Sequence, residues 1–240
     1  METIQINHRS IIVRTNLRSK HLRLQVRMGS HDVILTKPKW ITNVQVKTFL
    51  HSRIDWIEEH CKKMDEEIKK HPLPTYHSGD VYYYLGEPYT LVIRANDKKR
   101  PSIRLHNMQM VVRLYHGLKN TEGQDMVKKT IEQFYKKKAT EITHDRLQHF
   151  SYLHGFSYNR VTLKNQKTRW GSCSSSGNLN FNWRLSMAPI EVIDYVIVHE
   201  LCHLKQMNHS SRFWSLVESI LPNYKETRKW LAENQYLLRV

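Results

Sequence analysis

The chain lacks several features that would fix its class at once. It has three cysteines in 240 residues, Cys61, Cys173 and Cys202, widely spaced and odd in number. That argues against a disulfide framework and fits reduced thiols in a cytoplasmic protein. No apolar run exceeds a few residues, so no membrane-spanning helix is expected. The opening METIQINHRS has no basic segment followed by an apolar core, so we expect no secretory signal. The eight glycines nowhere gather into a phosphate-binding loop, and no carboxylate cluster suggests a magnesium site. Acidic residues are outnumbered: 22 Asp and Glu face 38 Lys and Arg, giving a net charge of +16 and a pI near 9.8. Such an excess suits anionic partners, nucleic acid among them, or simply a well-solvated basic surface.

What is present fits a soluble α+β protein, with 40% hydrophobic and 25% charged residues. Residues 3–36 alternate apolar and polar around a Gly29-Ser30 turn, which predicts strands. From 41 to 70 the period becomes helical, with Val46, Phe49, Leu50, Ile54, Ile57 and Cys61 on one stripe. The proline-containing HPLPTYHSGD marks a soft boundary. Strands are expected again in DVYYYLGEPYTLVIR and SIRLHNMQMVVRLY, then a helix from Thr121 to about Leu153 that stops at Gly155. Two strands around a polar Gly/Ser turn follow, the second near Leu179–Leu185, and Pro189 opens the next helix. We therefore expect a β-rich N-terminal region over 1–120 with one helix at about 41–70. The remaining residues, 121–240, would form a domain in which a strand hairpin packs on a histidine-bearing helix.

That helix carries VIVHELCHLKQMNHSSRFW. His199, Glu200 and His203 spell H-E-x-x-H. At about 100° per residue the two histidines lie about 40° apart and one turn along the helix, so both imidazoles can reach one ion. Glu200, beside them, can face a water in the open position of that ion. His209 would be about 120° away from His203 and about 9 Å further on if the helix continued. It can join only if the chain turns back after about Met207. Asn208 offers a left-handed helix stop, and Ser210 or Ser211 can cap a new helix carrying Phe213, Trp214, Leu216 and Val217. Three neutral nitrogen donors plus water describe a catalytic site for one Zn2+ per chain. Glu218 is a rival third ligand. Arg169, Arg212 and Tyr224 are candidates to stabilise an oxyanion or bind substrate, and GNLNFNW could pair with an extended substrate by strand addition.

The segment RWGSCSSSGNLNFNWRLSMAP followed by VIVHELCHLKQMNHSSRFW resembles the YgjP-like metallopeptidase family, relatives of the SprT-like and WLM zinc proteases. The likeness is specific from Arg169 to Trp214 and looser over most of the chain. It implies a zincin-like fold, zinc held by His199, His203 and His209, and Glu200 as catalytic acid/base. Metzincins share the histidine spacing but carry a glycine where this chain has Gln206, and no Met-turn follows. The expected activity is peptide-bond hydrolysis of protein or peptide substrates by Glu-assisted attack of a zinc-bound water. Two alternatives remain. One is a metal-dependent nucleotide or phosphoanhydride hydrolase, suggested by the basic charge. The other is a nucleic-acid-associated protein with a recruited protease or a structural zinc site.

Overall fold

The computed structural model describes residues 2–26, 32–70, 72, 74–117, 120–166 and 169–240. The expected Gly29-Ser30 turn lies outside these. The chain divides into two compact units, residues 1–72 and 73–240. The break falls at the proline-containing stretch. The expected border at 120/121 lies inside the second unit, at the first residue of its longest helix.

In the first unit the strands β1 (Glu2–Ile6), β2 (Arg9–Thr15), β3 (Arg23–Val26) and β4 (Val33–Lys37) form a sheet of order β1-β2-β4-β3. Alternation sends Ile4, Ile6, Ile11, Val13, Val33 and Leu35 into one core with Val46, Leu50, Ile57 and Cys61. The last four come from helices α1 (Asn43–His51) and α2 (Ile54–Lys70). The sequence pattern suggested one helix over 41–70; there are two. Thr42 and Gln45 form a reciprocal capping box at the start of α1. At its end the Ser52 hydroxyl donates to the Phe49 carbonyl at 2.8 Å, a side-chain bond that competes with helix continuation.

The second unit begins with β5 (Val81–Tyr84), β6 (Glu87–Asn96), β7 (Ser102–His106) and β8 (Gln109–Tyr115), a sheet of order β5-β6-β8-β7. Each of the two long apolar segments read as strand is therefore a hairpin, turning at Leu85-Gly86 and Asn107-Met108. Gly86 has φ +86°, and a Cβ there would lie 2.8 Å from Pro189 Cγ, so the first turn needs glycine to rest on the helix that follows Pro189. The helix α3 (Asn120–His154) buries Ile131, Leu147 and Phe150 and stops before Gly155, φ +64°, as expected.

Next come β9 (Arg160–Lys164), β10 (Gly171–Cys173) and β11 (Asn178–Asn182), in the order β10-β11-β9. The final expected strand stops at Asn182. Its side chain accepts from the Arg184 N–H and turns the chain into a 3-10 helix, Trp183–Met187. Pro189 stands at the N-cap of α4 (Ile190–Cys202), one residue ahead of the first turn. α5 (Ser211–Ile220) and α6 (Tyr224–Asn234) complete the unit. β10 packs on α4, so the hairpin does lie on the histidine helix, and the protein is α+β. Among the described residues no helix is long and apolar enough to cross a membrane.

Candidate metal centre

The rigidity of the site begins with α4, where every residue from Val192 to Val198 is buried. Asp194 ties it to α3. The Arg146 Nε donates to Asp194 Oδ1 at 2.6 Å and Nη2 donates to Oδ2 at 2.8 Å, a two-bond clamp. Helical spacing then delivers His199, Glu200 and His203 at the end of α4.

α4 ends earlier than its sequence suggests. Cys202 is its last residue and His203, still in right-handed helical conformation, is the C-cap. The chain then winds down through Leu204 N–H to Leu201 O and Lys205 N–H to Cys202 O, the tighter 3-10 pattern. Asn208 is not a left-handed stop, since no described residue between 203 and 210 has positive φ. The turn nevertheless brings His209 back. Ser210 occupies the N-cap of α5, with extended backbone and no side-chain cap bond.

One nitrogen from each of His199, His203 and His209 lies within 4.8 Å of the others. His199 Nε2 and His209 Nε2 are 3.1 Å apart. Two nitrogens on a tetrahedral zinc at ~2.0–2.1 Å would be separated by ~3.3 Å, so the donors fit a single ion. His203 Nδ1 donates to the Gln206 carbonyl at 3.0 Å, which leaves Nε2 free to ligate. Gln206 was not foreseen, because a backbone carbonyl leaves no mark in sequence. Burial lowers the proton affinity of His199 to a pKa of about 3, with the other two histidines adding to the effect, and burial also lowers that of His203. These imidazoles are therefore neutral donors at physiological pH.

Glu200 is 5% exposed, and its Oε2 has no hydrogen-bond partner among the described residues. Burial pushes its pKa up to about 8, against a weaker pull from Arg169. The carboxyl occupies space left by Gly171 on β10, where a Cβ would lie 2.6 Å from Glu200 Oε1 and 2.7 Å from Cγ. An orphaned, buried carboxyl beside three converging imidazoles is costly unless it has work to do.

The ring shell is aromatic. Phe213 stacks on His203 with centroids 4.5 Å apart, and Trp214 stacks on His209 at 5.7 Å. Of the other expected residues, Tyr224 is buried and stacks on Trp214 at 5.4 Å, while Arg169 and Arg212 are exposed. Glu218 pairs with Lys225 at 3.2 Å and is outside the histidine cluster. Cys202, beside the clustered histidines in sequence, is buried, and burial raises its thiol to about 12. GNLNFNW cannot receive a strand through β11, which is already paired on both sides. The free edge next to α4 belongs to β10. Two further residues escaped the sequence reading: Gly171, and Arg228, whose guanidinium lies 5.0 Å from the Trp214 ring centre. The only signal for Arg228 is its place between Tyr224 and Leu231 on the inward stripe of α6.

The chain was compared with known proteins. The model of the YgjP-like family, described as a metallopeptidase domain, matches residues 20–234. No curated protein matches. Among solved structures, the crystal structure of the metallopeptidase zymogen of Pyrococcus abyssi abylysin is 27% identical. It covers 39% of this chain and 95% of its own, with a TM-score of 0.36.

Proposed function

Because the chain belongs to the YgjP-like metallopeptidase family, we propose that it is a zinc-dependent peptidase acting on protein or peptide substrates. The observation that carries this is the meeting of His199, His203 and His209 within 4.8 Å, beside a buried and unpartnered Glu200. The three imidazoles would hold the ion, with the Gln206 carbonyl fixing the tautomer of His203. A zinc ion in this position supplies a Lewis acid for a carbonyl oxygen and lowers the pKa of water toward neutrality.

The protein's own groups supply the rest. Glu200, buried beside the three imidazoles, is placed to take a proton from water and return it to a departing amine. Its unpartnered Oε2 is the atom available for that exchange. The apolar ring of Phe213, stacked on His203, shields that imidazole from bulk water. β10 offers main-chain groups along its free edge to an extended peptide, a mode of binding that selects little by sequence.

The test is metal analysis of the purified protein together with an unbiased screen of peptides and nucleotides, run beside Glu200→Gln. We expect about one zinc per chain in both proteins and peptide cleavage only in the unmodified one. Loss of zinc in Glu200→Gln would count against the acid/base assignment. Glu200-dependent release of phosphate or pyrophosphate from nucleotides, without peptide cleavage, would move the site to phosphoanhydride chemistry.

A further inference from the structure

Arg228 follows Tyr224 by one helical turn on α6 and precedes Leu231 by another, and both of those are buried. Its own side chain is exposed, yet its guanidinium lies 5.0 Å from the centre of the Trp214 ring. That ring lies 5.7 Å from the ring of His209 and 5.8 Å from that of His199. The cation and two of the three clustered imidazoles therefore gather around one indole ring. The field of Arg228 reaches His199 and also Tyr195, one turn earlier on α4.

The neighbouring cations of α6 are paired, Lys225 with Glu218 and Lys229 with Glu233. Arg228 has no ion pair or hydrogen bond among the described residues. A guanidinium stacked on an indole is already positioned and keeps its fork of N–H donors for a ligand. A cation facing a set of imidazoles built to hold a dication is unfavourable alone, since like charges repel. It becomes favourable when an anion enters the space that both face.

We propose that Arg228 is the anion-binding group of this active site, donating to a negatively charged oxygen of the substrate. The proposal rests on the peptidase reading above. The oxygen could come from two places, the scissile carbonyl as it gains charge or the carboxylate at a peptide C-terminus. Both call for the same planar donor fork.

The experiment uses the full-length, zinc-loaded protein and peptides synthesised in pairs, one free and one amidated at the C-terminus. Cleavage is followed by mass spectrometry for the unmodified protein, Arg228→Met and Arg228→Lys. Methionine keeps length and contact with Trp214 without charge; lysine keeps charge without the fork. We expect Arg228→Met to retain its zinc and lose about tenfold or more in kcat/KM, with partial recovery in Arg228→Lys. Equal loss on both members of a pair, carried by kcat, assigns the developing oxyanion. Loss confined to the free acids, carried by KM, assigns the terminal carboxylate. Unchanged kcat and KM on both in Arg228→Met overturns the proposal. If Arg228→Met does not fold, the same measurement is made on Arg228→Gln, where unchanged constants overturn the proposal. Failure of the unmodified protein to cleave any peptide is a separate result: it removes the peptidase reading, and this assignment with it.

Discussion

The Glu200 carboxyl fills the space that any side chain at Gly171 would need: a Cβ there would lie 2.6 Å from Oε1, 2.7 Å from Cγ and 2.9 Å from Cδ. Glu200 is buried and cannot swing into solvent to make room. We expect Gly171→Ala to displace the carboxyl, reducing peptide cleavage by about a hundredfold, on the scale of losing a general base. The zinc content should be unchanged, because the atoms nearest that position belong to Glu200 and not to the clustered histidines. An alanine variant with full activity would show that Glu200 has no need of its present place.

The ligand set can be tested one histidine at a time. His203→Ala and His209→Ala should each leave only two donors, so dialysed protein should retain little of its zinc. Full zinc in His209→Ala would mean that another group supplies the third bond, and Glu218 would be the first to examine.

Glu200 and His199 should give the metal-free protein a stability profile with two opposing slopes. The Glu200 carboxyl, raised to about 8 from an ordinary 4.5, holds in the folded state a proton that the unfolded chain releases. Its contribution is fully present below pH 4.5 and is lost as the pH rises through 8. His199, lowered to about 3 from 6.5, contributes above pH 6.5 and loses that contribution as the pH falls through 3. The slopes oppose one another between 4.5 and 6.5. We therefore expect the Tm of chelator-treated protein to peak in that window, and Glu200→Gln to remove the decline above pH 6.5 while leaving the acid limb. A Tm in the chelated unmodified protein that does not change from pH 6.5 to 8 would contradict this.

The clamp between Arg146 and Asp194 makes a prediction about stability rather than chemistry. Arg146→Met leaves the Asp194 carboxylate largely buried without its partner, at a cost of about 3 kcal/mol in urea unfolding. Replacing both, as Arg146→Met with Asp194→Leu, should recover most of that loss. A single variant as stable as the parent would mean that Asp194 finds water or another donor.

The sequence was most informative where function depends on neighbours along one helix. His199, Glu200 and His203 are set by the period of α4, and the need for a turn before His209 followed from reach alone. The manner of the turn was not legible. Asn208 suggested a left-handed residue, whereas 3-10 bonding after Cys202 ends the helix with ordinary dihedrals. The single helix expected over 41–70 is interrupted at residues 52 and 53, where the Ser52 hydroxyl bonds back to Phe49, a local feature that no periodicity reveals. Gly171 and Arg228 come from distant segments, and only tertiary packing brings them to the histidines. Apolar alternation found the strands but not their pairing, so the free edge was first placed on the central strand of its sheet rather than on β10.

Two of the clustered imidazoles ride on a helix held fast by its buried face, while the third arrives across an unwound stretch from 204 to 208 with no regular structure of its own. An ion bound to all three would act as a cross-link, closing a small ring of polypeptide that is otherwise open. Protease sensitivity in that stretch should then report occupancy directly. Chelation would expose a cleavage point there, zinc would conceal it again, and the protein would carry its own gauge of whether it is loaded.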